Sequence, residues 1–147
     1  MALPKDFREF LELLNSHGVE YVIVGGFALA WHGRPRFTGD IDILIRRTPE
    51  NARRTADVIE AFGFRPLRVT AEELMKEGQI VQMGLRPIRI DVITSISGVD
   101  TELVWLRRIA GEMDSIPVWF IDRESFLANK RASGRPQDLA DVEELER

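Results

Sequence analysis

Two aspartates set within an aliphatic segment restrict the fold of this chain more than any other feature. Residues 41–45 read Ile-Asp-Ile-Leu-Ile and follow Asp40, a pattern that is typical of a strand. Because alternate residues of a strand share a face, Asp40 and Asp42 are expected on one side, opposite Ile41 and Ile43. Like charges this close raise each other's pKa and disfavour folding unless a cation lies between them. The pattern therefore predicts a strand that carries a cation site.

Periodicity and capping residues predict the other elements. In chain order they are helix 6–17, strand 21–24, helix 27–31, strand 41–45, a helix capped by Thr48 and closed by Gly63, a short helix from Thr70 to Gly78, strands 79–83 and 87–94, helix 99–109, strand 116–121, and two helices after Asp122. The last helix would place Leu139, Val142 and Leu145 on one apolar face. Strands interleaved with helices, together with one hairpin, predict an α+β fold: a mixed α/β arrangement with a mixed β-sheet flanked by helices and with C-terminal helices.

Length and composition restrict the class of protein. A chain of 147 residues without repeats or a flexible linker predicts a single domain, residues 1–147, with a helical tail at about 122–147 packed on it. The net charge of −4 means that a bound polyanion would have to meet a local basic patch. The absence of cysteine excludes thiolate zinc sites and thiol nucleophiles. No apolar run is long enough to span a membrane, and we expect a cytoplasmic protein.

A third acid, Asp91, lies in the aliphatic segment 88–93. A lone carboxylate is costly to bury there, and its presence is explained if it faces the same cation as Asp40 and Asp42. Carboxylate oxygens together with substrate phosphates are the ligands that Mg²⁺ prefers. Each acid taken alone has an ordinary explanation as a solvated or packing charge. The joint arrangement of the acid pair, the third acid and the glycines described next favours a site for metal and phosphate.

Two glycines end the strand at 21–24. Gly25 and Gly26 would let the backbone approach a phosphate at the start of a helix, although a tight turn without a ligand explains the pair equally well. Further along, Arg36 and Thr38 offer a guanidinium group and a hydroxyl just ahead of the acid pair, where they fit a triphosphate. The alternative for this segment is a solvated loop.

These residues together match a known superfamily. The chain resembles the nucleotidyltransferases typified by DNA polymerase beta in Val24-Gly25-Gly26, in the segment 36–43 (Arg-Phe-Thr-Gly-Asp-Ile-Asp-Ile) and in Ile90-Asp91-Val92. Within that superfamily it is similar to the small prokaryotic members related to the abortive-infection (AbiEii-like) toxins and the minimal nucleotidyltransferases. The resemblance covers most of the chain, and it includes residues 130–141, which are similar to the lysine-bearing C-terminal helices of that group.

The resemblance implies a role for each matching residue. Asp40, Asp42 and Asp91 would be catalytic and would bind two Mg²⁺ (or Mn²⁺) ions, with Asp91 nearer the attacking hydroxyl and able to accept its proton. The nucleotide-binding residues would be Gly25, Gly26, Arg36, Thr38, Lys130 and Arg135. A solvated basic face is the alternative for Lys130 and Arg135. The nearby Asp138 and Asp141 are interpreted as surface or packing charges that pair with those bases.

The implied activity is the metal-dependent transfer of a nucleoside monophosphate from an NTP such as ATP to an acceptor hydroxyl. An RNA or tRNA end and a protein hydroxyl are the expected acceptors, and a small aminoglycoside-like molecule competes with them. The resemblance also suggests a toxin–antitoxin or phage-defence setting. Because so short a chain has little beyond its core to hold an acceptor, a partner protein or a homodimer would complete the site.

Other functions are weighed against this one. A catalytically inactive nucleotidyltransferase-like domain that binds a nucleotide or a partner protein would be favoured if Asp91 pointed away from the acid pair or if no metal could be loaded. A glycosyltransferase that uses Asp-x-Asp is disfavoured by the short chain and the glycine pair. A haloacid-dehalogenase-type phosphatase is disfavoured because Ile43-Leu44 follow the acids where that pattern has Thr or Val.

Overall fold

The computed structural model describes residues 3–33, 39–63, 68–85 and 87–147. These residues form a six-stranded sheet and seven helices. In chain order the elements are α1 (Lys5–Ser16), β1 (Tyr21–Val24), α2 (Gly25–Trp31), β2 (Asp40–Ile45), α3 (Pro49–Ala61), α4 (Ala71–Leu74), β3 (Ile80–Met83), β4 (Arg89–Ile93), α5 (Thr101–Leu106), β5 (Ile109–Met113), β6 (Ile116–Phe120), α6 (Arg123–Ser133) and α7 (Pro136–Glu146). The predicted α+β class is confirmed.

The sheet is mixed, with the strand order β3-β4-β2-β1-β6-β5. β2 runs parallel to β4 and β1 runs parallel to β6, whereas β1 and β2 are antiparallel. The expected hairpin is present as the antiparallel pair β3 and β4. Because Val24 pairs with Asp42 and Asp42 pairs with Asp91, the C-terminal end of β1 lies beside the N-terminal parts of β2 and β4. This end of the sheet carries the predicted site.

The hydrophobic core lies on the face of β2 away from its aspartates. Ile41, Ile43 and Ile45 are fully buried there, in one cluster with Phe10 of α1 and Ile59 of α3. Complete burial of side chains of this size stabilises the fold by about 1.5–3 kcal/mol each. The alternation of β2 is therefore fixed by a buried aliphatic face, which leaves its two acids on the other face. In the described ranges, no helix is both long and apolar enough to cross a membrane.

Helix starts agree well with the capping residues in the sequence. The side chains of Thr48, Thr70 and Asp122 each accept a hydrogen bond from a backbone N–H in the first turn of α3, α4 and α6, respectively. Such a cap is worth about 1 kcal/mol. α4 is shorter than predicted, because it ends at Leu74 and not at Gly78.

The predicted helix 99–109 is wrong in its second half. α5 ends at Leu106, and Ile109 begins β5, which pairs antiparallel with β6. Residues 99–109 lack the alternation of a strand and favour a helix locally, whereas pairing with β6 decides the conformation from Ile109 onward. The predicted start of the second helix is also wrong, since α2 begins at Gly25 and includes both glycines.

The apolar face predicted for the last helix is only partly correct. Val142 is buried, but Leu139 is 49% exposed. Asp138 and Asp141 are buried instead, at 1% and 5% exposure. Hydrogen bonds and ion pairs to bases outside α7 make that burial tolerable, and such partners cannot be read from the periodicity of one helix.

Candidate active site

Three aspartates lie on one face of the sheet. The parallel register of β2 and β4 pairs Asp42 with Asp91 and Asp40 with Arg89. Since residues two apart on a strand share a face, all four side chains project from the same side. The side chains of Asp42 and Asp91 lie close enough for the charge of Asp91 to raise the pKa of Asp42. The structure thus brings the three predicted carboxylates together, and their metal-binding and catalytic roles stay predictions.

Asp42 stands in an unfavourable electrostatic environment. Desolvation by burial is the largest cause that raises its pKa, and the charges of Asp91 and Asp40 add to it. Together they outweigh the positive charge of Arg89 and place the pKa of Asp42 at about 6, above its ordinary value of 3.8. At neutral pH an ionised Asp42 is therefore held in a negative field that an added cation would relieve.

Arg89 is the residue of this site that the sequence analysis missed. Its Nε donates to Asp91 Oδ1 at 2.9 Å and its Nη2 donates to Asp91 Oδ2 at 3.0 Å, so the guanidinium grips both carboxylate oxygens. The same Nη2 lies 3.2 Å from Asp40 Oδ2, across the strand boundary. A signal was available: Arg89 precedes Asp91 by two positions in a predicted strand, which places both on one face.

The glycines beside the acids have steric reasons to be glycine. Gly25 has φ of +69°, and a Cβ built there would overlap the carboxylate of Asp42. A Cβ on Gly39 would overlap the backbone carbonyl of Pro87. Gly25 therefore allows the close approach of β1 to the acid pair, a reason independent of the predicted contact with phosphate. Gly26 follows in the first turn of α2 and is partly buried.

Lys130 and Arg135, predicted to contact the nucleotide, converge on a carboxylate of α7. Lys130 Nζ lies 3.1 Å from Asp138 Oδ1 and 3.6 Å from Asp141 Oδ2, and its side chain is only 10% exposed. Arg135 Nε donates to Asp138 Oδ2 at 2.7 Å. The predicted pairing of these acids with these bases is thus present, and it is buried at Lys130 but exposed at Arg135. The remaining nucleotide-binding candidates, Arg36 and Thr38, lie outside the described residues.

Asp138 responds to its surroundings in the opposite direction from Asp42. Burial alone would raise its pKa, but hydrogen bonds from Arg135 and Lys130, together with their positive charges, hold the pKa below its ordinary value. Lys130, Arg135, Asp138 and Asp141 thus form a compensated network, in which two bases balance two acids, and it joins α6 to α7.

The aspartates on β2 and β4 fit a divalent metal in the chemistry of their donors. They offer hard carboxylate oxygens on neighbouring strands, and the single positive charge of Arg89, which pairs with Asp40 and Asp91, offsets only part of their negative charge. In the described part of the chain, however, no group of three Asp, Glu, His or Cys side chains is arranged to hold a metal ion. Arg89 engages two of the three aspartates in this structure, so metal binding by all three requires its side chain to move.

Solved structures of similar shape support the fold. The chain is similar to a protein from Thermotoga maritima assigned as a nucleotidyltransferase, with a TM-score of 0.60 and 16% identity over 95% of this chain and 86% of that one. It is also similar to an antigenic nucleotidyltransferase-like protein from Paracoccidioides brasiliensis, with a TM-score of 0.56 and 15% identity over 95% of this chain and 74% of that one. A comparison with curated proteins gives no match.

The family is shown by a sequence model that covers nearly the whole chain. Residues 10–147 match the family described as "Nucleotidyl transferase AbiEii toxin, Type IV TA system". The matched range contains the glycine pair, the three aspartates of β2 and β4, and the network that joins α6 to α7. The chain therefore belongs to the AbiEii nucleotidyltransferase toxin family.

Proposed function

We propose that this protein transfers a nucleoside monophosphate from an NTP to an acceptor hydroxyl, with divalent cations held by Asp40, Asp42 and Asp91. The observation that carries the proposal is the parallel register of β2 and β4, which sets Asp91 beside Asp42 on the face that also bears Asp40. Three carboxylates held together without a ligand are unfavourable, as the raised pKa of Asp42 indicates. A site of this composition is suited to cations and to the phosphates that cations carry.

The bonds formed and broken follow from the reaction type. The hydroxyl oxygen of the acceptor attacks the α-phosphorus, the bond from that phosphorus to the pyrophosphate oxygen breaks, and pyrophosphate leaves. Divalent cations, when bound, supply positive charge to the attacking and leaving oxygens. Asp91 lies beside Asp42 and is the carboxylate proposed to accept the hydroxyl proton at one of its Oδ atoms. Gly25 keeps the backbone of β1 close to Asp42 without a side chain in between.

The proposed biological setting is supported by the family description and not by the site. The family description names a toxin of a type IV toxin–antitoxin system. We therefore propose that the chain acts as such a toxin and that an antitoxin opposes it. An RNA or tRNA end, or a protein hydroxyl, is the proposed acceptor.

The direct test is a labelling experiment with a matched pair of variants. The protein is incubated with each of the four α-labelled NTPs, Mg²⁺ and either a tRNA pool or a cell lysate, and the labelled product is identified. Asp42→Asn should lower labelling by more than ~100-fold. Loss of a residue that only hydrogen-bonds to a metal ligand already costs about 10–100-fold in metal affinity or activity, and Asp42 is proposed as a ligand itself. Asp114→Asn is the matched control. Asp114 lies in the turn between β5 and β6, where it accepts a hydrogen bond from Arg8 of α1, and its variant should label like the wild type.

Two results would contradict the proposal. Labelling by Asp42→Asn at the wild-type rate would show that the reaction does not need the carboxylate of Asp42. Binding of NTP by the wild-type protein without any labelled product would instead support the alternative of a domain that binds nucleotide without turnover.

A further inference from the structure

We propose that Arg89 is an internal counter-ion of the active site: its guanidinium holds Asp91 and Asp40 in the metal-free protein and must release them before the three aspartates can bind a divalent cation together. The inference rests on the proposed function, since it concerns the same carboxylates. It assigns to Arg89 a positioning role that sets the affinity of the site for metal.

The contacts of Arg89 have the geometry of a clamp. Two parallel hydrogen bonds of 2.9 and 3.0 Å join its Nε and Nη2 to the two oxygens of Asp91. Nη2 also reaches Asp40 on the neighbouring strand at 3.2 Å. Paired contacts of this type are among the stronger hydrogen bonds in proteins. One side chain thereby restrains two of the three proposed metal ligands.

The arrangement of the ligands agrees with such a clamp. Within the described residues, the carboxylates are in register but do not form a group able to hold a metal ion. A cation placed among them would also be repelled by the guanidinium, which already neutralises part of their charge. Metal binding and the full set of Arg89 contacts therefore compete for the same oxygens.

The position of Arg89 allows it to give way. Its side chain is 19% exposed and starts at the first residue of β4, whereas Asp91, two residues further in, is 9% exposed. A long side chain at the end of a strand can turn towards solvent without any change in the backbone. Release of the acids thus requires rotation of the Arg89 side chain and leaves the sheet intact.

The test measures metal affinity in the full chain, stripped of metal with a chelator and then freed of the chelator. Titration calorimetry with Mn²⁺ alone is carried out on the wild type, Arg89→Gln and Arg46→Gln. Arg89→Gln should bind Mn²⁺ at least tenfold more tightly, which corresponds to about 1.4 kcal/mol. Its metal-free form should melt at a lower temperature than the wild type, and Mn²⁺ should raise its melting temperature by more.

Arg46→Gln is the matched control for loss of one positive charge. Arg46 directly follows β2 at its opposite end, where it pairs with Glu102 and Glu20. Its replacement should leave the affinity for Mn²⁺ within twofold of the wild type. If Arg89→Gln fails to fold, Arg89→Lys decides, because lysine keeps the charge but cannot bond both oxygens of Asp91 in parallel; it should bind Mn²⁺ several-fold more tightly than the wild type.

The outcomes separate this inference from the proposed function. Binding of Mn²⁺ by the folded Arg89 variant with an affinity equal to or weaker than that of the wild type overturns the counter-ion role and leaves the proposed function in place. If neither the wild type nor the Arg89 variant binds Mn²⁺, the metal-dependent function fails and the inference fails with it.

Discussion

Asp42 is partly buried on the sheet and Asp138 is buried between α6 and α7, and their pKa values shift in opposite directions. On the sheet, burial and the charges of Asp91 and Asp40 raise the pKa of Asp42 to about 6 in spite of Arg89. Between α6 and α7, Lys130 and Arg135 overcome the effect of burial and lower the pKa of Asp138. On the sheet, one arginine, Arg89, lies among three aspartates. Between α6 and α7, two bases balance the two aspartates.

The difference distinguishes a binding site from a structural contact. Buried acids that are matched with bases and hydrogen bonds need no further partner, and they fix how two elements pack. Acids that are buried or partly buried and that raise one another's pKa are suited to a cation from outside. The register that places Asp40, Asp42 and Asp91 on one face, together with the raised pKa of Asp42, therefore marks these three aspartates (the sheet cluster) as the candidate for ligand binding. The following experiments test this contrast, from the largest expected effect to the smallest.

Replacement of Lys130, the buried base of the network that joins α6 to α7, should have the largest effect on stability. Lys130→Met leaves Asp138 and Asp141 buried without their shared lysine, and the free energy of unfolding in urea should fall by about 3–5 kcal/mol. Lys5→Met, in an exposed pair with Glu9, should change it by less than about 1 kcal/mol. The double change Lys130→Met with Asp138→Leu should recover part of the loss, because Asp141 still lacks its lysine, and no recovery at all would show that the network does more than balance charge.

A side chain at Gly25, beside the carboxylate of Asp42, should have the next largest effect on stability. Gly25→Ala forces a left-handed backbone on alanine at about 1–2 kcal/mol, and its Cβ overlaps the carboxylate of Asp42, for about 1–3 kcal/mol more. Gly134→Ala has a nearly equal φ of +66° but only ordinary contacts for the new Cβ. The excess loss of unfolding free energy in Gly25→Ala over Gly134→Ala measures the overlap. Equal losses would mean that Asp42 can move aside freely.

The pH dependence of stability should report the uncompensated charge of the sheet cluster. A pKa near 6 in the folded protein and near 3.8 in the unfolded chain means that the folded state binds this proton more tightly. This contribution to stability is complete below about pH 4 and is lost as the pH rises through 6. Without metal, Asp42→Asn should therefore be more stable than the wild type by about 2–3 kcal/mol at pH 7.5, with the difference shrinking towards pH 4. A difference that does not change with pH would contradict this account of Asp42.

The smallest effect is expected at Arg135, whose side chain is 75% exposed although it bonds Asp138. Arg135→Gln should lower the unfolding free energy by no more than about 1 kcal/mol. Its predicted contact with phosphate requires in addition that the affinity for ATP fall several-fold. Unchanged affinity in a folded variant would limit Arg135 to its contact with Asp138.

The features that sequence predicted well depend on local pattern. β2 was recognisable because Ile41 and Ile43 alternate with the acids, and α3 and α6 because Thr48 and Asp122 are strong caps. The family could be named from the glycines and the three acids, and residues 10–147 match its model.

The features that sequence did not predict depend on partners far along the chain. β5 has exposed residues such as Ile109 and Glu112, and its strand conformation depends on pairing with β6. Asp138 is buried because Lys130 reaches it from α6, so the buried face of α7 includes Asp138 and Val142 but not Leu139. The spacing of Arg89 and Asp91 on one strand allowed their contact to be predicted, whereas the contact of Arg89 with Asp40 depends on the parallel register of β2 and β4.

That register has a consequence for when the protein can become active during synthesis. Asp40 and Asp42 leave the ribosome long before Asp91, and the three meet only after the chain has crossed over through α3, α4 and β3 to bring β4 alongside β2. Contacts so distant in sequence form late in folding. A nascent or truncated chain that ends before residue 91 lacks the third carboxylate, so translation itself delays the assembly of the proposed active site.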